Sequence, residues 1–313
     1  MTSLITGAGL VGTAYAREAL KEGERVVFYD ARPDADYLHA KLGDADFSTV
    51  QGDLRDLPAL IDAMSTYRPE VVVHTAGLIG NSVSSPTYTG LQINIGGTIN
   101  VLEAARLSGV KRFAHVSTFG VYERRLEGAS PIREDFPRGG ENPYSASKIA
   151  NEHIAESYAA EYGFELAMIR PANVFGYGHF RGGSGGGMTV HSLVEAGLSG
   201  EPLTVSATRA RDFEYIYCKD LGAAIRRAAT VPLSGTTAFN AGNGAIVTFQ
   251  ELVEAVQAVL PKLNVTVSPS SEVHQSFKQP MDLSRSKALL DWSPAFSLTD
   301  AFSDYVAELQ GAR

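Results

Sequence analysis

Five short runs of β-branched and aromatic residues punctuate the first 175 residues of the chain: Ser3-Leu4-Ile5-Thr6, Arg25-Val26-Val27-Phe28-Tyr29, Val71-Val72-Val73-His74, Arg112-Phe113-Ala114-His115-Val116 and Glu165-Leu166-Ala167-Met168-Ile169-Arg170. They are apolar without alternation, the pattern of strands buried on both faces. Between them the spacing of apolar residues predicts helices over 13–22, 57–67, 91–108 and 144–162, the last opening after Asn142-Pro143. Strands that alternate with helices in this way predict an α/β fold, a doubly wound parallel sheet built by right-handed crossovers.

The texture changes after Phe175. Gly182-Gly183-Ser184-Gly185-Gly186-Gly187 reads by composition as a mobile loop, an active-site lid with glycine hinges or a simple insert. It matches the Gly-x-Ser-x-Gly nucleophile pattern only formally, because a polyglycine loop lacks the strand-turn-helix elbow that pattern needs. Two capping-box patterns, Thr248-Phe249-Gln250-Glu251 and Ser297-Leu298-Thr299-Asp300, predict helices further on. The expected organisation is a nucleotide-binding domain over 1–175 and a smaller, mixed, mainly substrate-binding region over 176–313, with some segments returning to the sheet.

Composition narrows the function classes. The 313 residues are 44% hydrophobic and 20% charged, as in an ordinary globular protein. The 27 basic and 35 acidic side chains leave a net charge of -8 with no basic stripe, which speaks against a nucleic-acid or anionic-membrane partner. Cys218 is the single cysteine, so no internal disulfide forms, and the seven histidines show no pair at ligand spacing, so no metal is expected. Met1-Thr2-Ser3 runs straight into a glycine motif, without the charged and apolar regions of a secretion signal, and no run is long enough for a membrane span. A cytoplasmic location is the expectation.

Gly7-Ala8-Gly9-Leu10-Val11-Gly12 follows the first strand and opens the first helix, where glycines let the backbone approach a pyrophosphate seated on the helix N-terminus. Asp30 ends the second strand, where a carboxylate accepts hydrogen bonds from the adenosine ribose and repels a 2′-phosphate. This is a Rossmann-type signature, and it predicts NAD rather than NADP. Arg32, two residues on, could reach such a phosphate and weakens that preference slightly.

Tyr144-Ser145-Ala146-Ser147-Lys148 places a phenol and an ammonium one helical turn apart on one face. A unit charge about 4 Å from the phenol, at an effective dielectric near 20, is worth roughly 4 kcal/mol, or about three pK units. Tyr144 is thereby expected to exchange protons near neutral pH and to act as general acid/base while hydride leaves the same carbon for nicotinamide. Thr118 is the hydroxyl partner that holds the substrate oxygen.

With these motifs in order, the chain resembles the extended short-chain dehydrogenases/reductases, the NAD-dependent epimerase/dehydratase family. The resemblance runs over nearly the whole chain. It includes Gly52-Asp53-Leu54, which in the family contacts adenine, His74-Thr75-Ala76-Gly77, which lines the cofactor, and Asn94 in the central helix. It continues through Ser117-Thr118, Tyr122, Tyr144 and Lys148 to Arg170-Pro171-Ala172-Asn173-Val174-Phe175-Gly176, and closes on Met281 to Pro294. It implies that Lys148 bonds the nicotinamide ribose, that Pro171 borders the cofactor, that Asn173 touches substrate, and that two chains pair through the helices 91–108 and 144–162.

The departures are informative. The family's glycine motif is usually one residue longer. Dehydratases carry Asp-Glu after the threonine and nucleotide-sugar decarboxylases a Glu nearby, whereas this chain has Phe119-Gly120, which disfavours both reactions. Nucleotide-sugar members hold the diphosphate with two arginines. Counted without gaps from Asp220 and Asp282, those places fall on Phe213 and near Glu272, although Arg209 or Arg211 could compensate. The expectation is an oxidoreductase acting on a secondary alcohol or ketone of a sugar, sugar acid or related polyol without a diphosphate. The alternatives are a nucleotide-sugar 4-epimerase of the UDP-glucose type with tightly bound NAD, and a non-enzymatic NAD sensor.

Overall fold

The computed structural model describes residues 1–126, 128–178, 184–269 and 278–311. In chain order its strands are β1 (Thr2–Thr6), β2 (Arg25–Asp30), β3 (Phe47–Gln51), β4 (Val71–His74), β5 (Arg112–Val116), β6 (Glu165–Pro171), β7 (Asn173–Phe175), β8 (Leu203–Ser206), β9 (Tyr215–Tyr217), β10 (Thr236–Ala241) and β11 (Val265–Ser268). Seven of them form one sheet in the order β10-β6-β5-β4-β1-β2-β3. Every pairing in it is parallel. This is the Rossmann-like α/β fold expected from the apolar runs, all five of which are strands of this sheet. Two parallel pairs, β7 with β9 and β8 with β11, lie outside it.

The two outermost strands escaped the apolar pattern for different reasons. β3 reads Phe-Ser-Thr-Val-Gln, with every residue exposed or half-buried, because an edge strand has neighbours on one side only. β10 comes from far along the chain, beyond residue 175, and pairs with β6 from Thr236↔Leu166 to Ala241↔Pro171. A pattern read locally carries no information about that long-range partner.

The predicted helices form, with differences at their ends. Leu10–Lys21 begins three residues earlier than expected, because its N-cap is Gly9 of the glycine motif itself. Pro143–Tyr162 is capped by the Asn142 side chain, which accepts from the Ser145 amide, and ends on Gly163 in the left-handed region, φ 75°. The central helix is interrupted: Thr87–Leu91 passes through a π-turn at Gln92–Gly96 into Gly97–Leu107. The box at Thr248 is complete, the Thr248 side chain accepting from the Glu251 amide and the Glu251 carboxylate from the Thr248 amide.

The glycine stretch corrects its compositional reading in part. Ser184 caps a helix at Gly185–Ser199 by accepting from the Gly187 amide at 3.1 Å, so Gly185, Gly186 and Gly187 form its first turn rather than a loop. An ideal Cβ at Gly186 would lie 2.7 Å from Asn173 Oδ1, so this turn needs glycine because it packs on that amide. Gly182 and Gly183 lie outside the described residues. Ser184, spent as a cap, is in no nucleophile elbow.

Candidate active site

A parallel sheet brings the carboxyl ends of all its strands to one edge. Here that edge carries Gly7 after β1, Asp30 at the end of β2, Asp53 and Leu54 after β3, Thr75 after β4, Thr118 after β5 and Pro171 at the end of β6. The sequence motifs, scattered over 160 or so positions, converge there for this topological reason.

The three glycines of the turn do different things. Gly7 sits at φ +92°, and a Cβ on it would meet Thr75 Oγ1 at 2.7 Å. Gly12 packs on the turn itself, where a Cβ would fall 2.0 Å from the Gly7 carbonyl oxygen. Gly9 has nothing within 4 Å of that position, and no side chain caps the helix it starts. Open space next to uncapped amide donors fits a pyrophosphate. Leu10 is buried, so it has only its backbone to offer a ligand, and Val11 and Gly9 are half-buried beside it. The Asp30 carboxylate fixes the turn by accepting from the Ala8 amide at 2.8 Å and from the Arg32 amide at 2.7 Å. Each oxygen keeps a further lone pair for a ribose hydroxyl. The residues present therefore fit NAD.

Around the turn, the Thr75 hydroxyl donates to the Thr6 carbonyl at 2.7 Å, and Thr75, Ala76 and Gly77 stand half-buried along the edge. Asn94 is almost fully buried and has its amide engaged: Oδ1 accepts from the Leu78 amide, and Nδ2 donates to the Leu78 carbonyl and to Ser147 Oγ. It ties the cofactor-lining loop to the catalytic helix rather than presenting its side chain to a ligand. Asp53 is gripped by Arg55, which holds its carboxyl below the usual range, while Leu54 packs under Gly97.

The Thr118 hydroxyl stands close enough to the Tyr144 phenol to lower its proton affinity, and its Oγ1 accepts from the Gly120 amide at 3.1 Å. Lys148, buried, donates from Nζ to the Val116 carbonyl at 2.8 Å, two residues before Thr118. Thus β5 positions all three groups, Thr118 by its own backbone and the other two through the helix that crosses its end. The electrostatics correct the simple charge-pair estimate. Burial pushes the Tyr144 phenol up to about 12, opposed by the neighbouring Thr118 hydroxyl, and lowers Lys148 to about 8, opposed by Glu152. The protein by itself does not bring the phenol toward neutrality, because desolvation, which no spacing argument contains, is the largest effect on both groups.

His74 and His115 stack beneath this site with ring centroids 5.5 Å apart. Burial pushes His74 down to about 3 and His115 far below its ordinary value, so both are neutral. His74 is pinned between Thr6 Oγ1 and Thr98 Oγ1.

On the substrate side, Asn173 is buried, its amide donating at 3.4 Å to the Glu214 carbonyl. The Arg211 guanidinium lies 4.9 Å over the Phe213 ring, at the place that counting assigned to a diphosphate arginine. Glu272 lies outside the described residues. Glu214 itself went unnoticed in the sequence. Buried, it accepts from the Gly244 and Met281 amides and so joins three segments around Asn173. Also missed was a buried pair one turn beyond Lys148, Glu152 with Arg170. The available signal was a glutamate at i+4 from the lysine, in a helix whose lysine already faces inward.

The model of the family described as "NAD dependent epimerase/dehydratase family" matches residues 3–242. The chain is 29% identical to the UDP-glucose 4-epimerase of Mycolicibacterium smegmatis, over 98% of this chain and 97% of that protein. It is 28% identical to a dTDP-glucose 4,6-dehydratase of Xanthomonas campestris, over 97% and 92%. Among solved structures, the UDP-glucose 4-epimerase of Thermus thermophilus in complex with NAD superposes with a TM-score of 0.84 at 26% identity, each chain covered over 100% of its length. No helix among the described residues is long and apolar enough to cross a membrane. A glycine turn shaped for a dinucleotide, a Tyr-Thr-Lys constellation beside it and full-length similarity to such enzymes lead to one conclusion: the chain belongs to the NAD-dependent epimerase/dehydratase family and is an enzyme with NAD as its cofactor.

Proposed function

We propose that the chain transfers hydride between NAD and a secondary alcohol or ketone of a sugar, sugar acid or related polyol that lacks a diphosphate. The observation that carries the chemistry is the placement of Tyr144 beside Thr118 at the end of β5, with Lys148 anchored to the same strand. Thr118 orients the substrate oxygen, Tyr144 takes or returns its proton, and Lys148 holds the nicotinamide ribose. Bound NAD supplies the hydride acceptor, and its cationic ring also lowers the phenol's proton affinity. Phe213, packed edge-on against Tyr215, is the reason to expect a substrate without a diphosphate. Tyr144→Phe tests the reading: turnover is expected to fall by about three orders of magnitude or more with NAD affinity nearly unchanged. Activity within tenfold of the parent ends it, and would turn attention to an NAD sensor.

A second reading, a nucleotide-sugar 4-epimerase, draws on the names of the relatives and on Arg211, whose guanidinium is carried back over Phe213. The nicotinamide released on denaturing dialysed protein separates the two. Near-stoichiometric NAD, with no absorbance change during turnover, favours the epimerase. An empty protein that reduces added NAD favours the dehydrogenase. We further propose a cytoplasmic homodimer that pairs through Gly97–Leu107 and Pro143–Tyr162, on which Ile99, Leu107 and Tyr162 stand exposed. Sizing at micromolar concentration that gives a monomer removes the dimer.

A further inference from the structure

Glu152 and Arg170 have side chains 0% and 1% exposed, a depth at which ions are found only when paired. Arg170 Nε and Nη2 grip the two Glu152 oxygens at 2.9 and 2.7 Å. Its remaining nitrogen donates to the Tyr122 hydroxyl at 3.1 Å and to the Glu134 carbonyl at 2.8 Å. Tyr122 in turn donates to Asn240 Oδ1 on β10. A buried ion pair of this kind is a poor source of stability compared with apolar packing, so its place in the fold invites another explanation.

The place is specific. Glu152 follows Lys148 by one helical turn, on the same inward face of Pro143–Tyr162, while Tyr122 follows Thr118 by four residues in the segment after β5. We propose that Glu152 is a positioning residue for the reaction, supplying the buried counter-charge that keeps Lys148 an ammonium, and that Arg170 holds that carboxylate in place and braces the Thr118 segment through Tyr122. This deepens the role given to Lys148 above and rests on it.

The other groups around Lys148 cannot do this. His74 on β4 and His115 on β5 are neutral and would repel the ammonium if charged, and the Val116 carbonyl is a dipole that accepts one hydrogen bond. Around Glu152 the further charges are Arg138, 3.3 Å from Oε2, and Glu156, which Arg138 also binds. Against the burial that depresses Lys148, Glu152 is the group that acts in the opposite direction.

The test reads the ammonium directly and needs no substrate. Full-length protein isotope-labelled at the lysine ε carbon is titrated by NMR, the Lys148 signal being assigned from its loss in Lys148→Met. In the parent protein the midpoint is expected near 8. Glu152→Gln should lower it by about one pH unit, the scale of a lost neighbouring charge. Because that variant strands a buried guanidinium, the double variant Glu152→Gln/Arg170→Met removes both charges and keeps the interior neutral. It should still titrate at least half a unit or so below the parent, while Glu152→Asp stays close to it. A folded double variant, or a folded Glu152→Gln, with the parent midpoint overturns the proposal, because a purely structural pair would leave Lys148 untouched. A fall in turnover for Tyr144→Phe bears on the proposed function alone, so the two readings fail separately.

Discussion

The glycine turn after β1 and the helix Pro143–Tyr162 stand at the same sheet edge and are built by opposite means. At the turn the backbone does the positioning, and side chains matter by their absence: Gly7 and Gly12 fit because a Cβ would strike Thr75 and the Gly7 carbonyl. On the helix the side chains act, and they do so from the interior, with Lys148 buried on the Val116 carbonyl and Glu152 buried behind it. The difference teaches that the glycines of the first region can be damaged only by adding atoms, and the second region by removing one. Tyr144→Phe is the sharpest cut, since one oxygen is expected to cost about three orders of magnitude in turnover or more while leaving the turn intact. Steady-state rates set beside calorimetric NAD affinity check both halves of that statement.

The converse substitution is Gly12→Val. Two or more carbons placed against the Gly7 carbonyl must displace the turn, since a Cβ alone would lie 2.0 Å from that oxygen. The expected result is a loss of about a hundredfold or more in NAD affinity with a lower unfolding temperature, on the scale of about 1–3 kcal/mol for overpacking plus the lost anion contacts. Calorimetry and thermal unfolding measure both. If NAD binds as in the parent protein, the backbone at this turn is freer than the close approach implies, and the contrast between the two regions weakens.

The same contrast explains what was legible in the chain. Backbone sites leave a residue-type signature, because only glycine tolerates φ +92° at Gly7 together with the approach at Gly12. The Tyr144 and Lys148 spacing was equally plain, being a helix period. The proton affinity of that pair was not, because burial outweighs any neighbouring charge and burial is a property of the assembled fold. β10 was invisible for the same reason, its partner β6 lying some 70 positions away, and Glu214 because a lone glutamate before an apolar run looks like a surface residue until three segments close over it.

Glu214 offers a pH-dependent probe on the substrate side. Burial pushes its carboxyl up to about 7 from an ordinary 4.5, against the two amide bonds that favour its charge. The folded protein therefore holds this proton more tightly than the unfolded chain does. The resulting stability is complete below about pH 4.5 and is lost as pH rises through about 7, by about 3 kcal/mol at most. Glu214→Gln, which mimics the protonated group, should flatten that decline. Urea unfolding of both proteins at pH 5 and pH 7.5 or so checks it: the parent should lose more stability than the variant across this interval. Parallel pH profiles would place the carboxylate in an environment as favourable as water.

The smallest expected effect returns to the turn, at Arg32. Its backbone amide is committed to the Asp30 carboxylate at 2.7 Å, a bond that any residue can make, while its side chain is exposed. Arg32→Ala should therefore leave NAD affinity within about twofold, the range of an exposed side chain. NADP is expected to bind weakly in the first place, because a 2′-phosphate would come against the Asp30 carboxylate, and a screened guanidinium offsets only about 0.5–1 kcal/mol of that repulsion. Removing it should weaken NADP by roughly two- to fivefold at low salt and less at high salt. Fluorescence titration of both dinucleotides at two ionic strengths measures this. A larger, salt-dependent loss for NADP would show that the Arg32 side chain, rather than the Asp30 carboxylate, decides the dinucleotide preference.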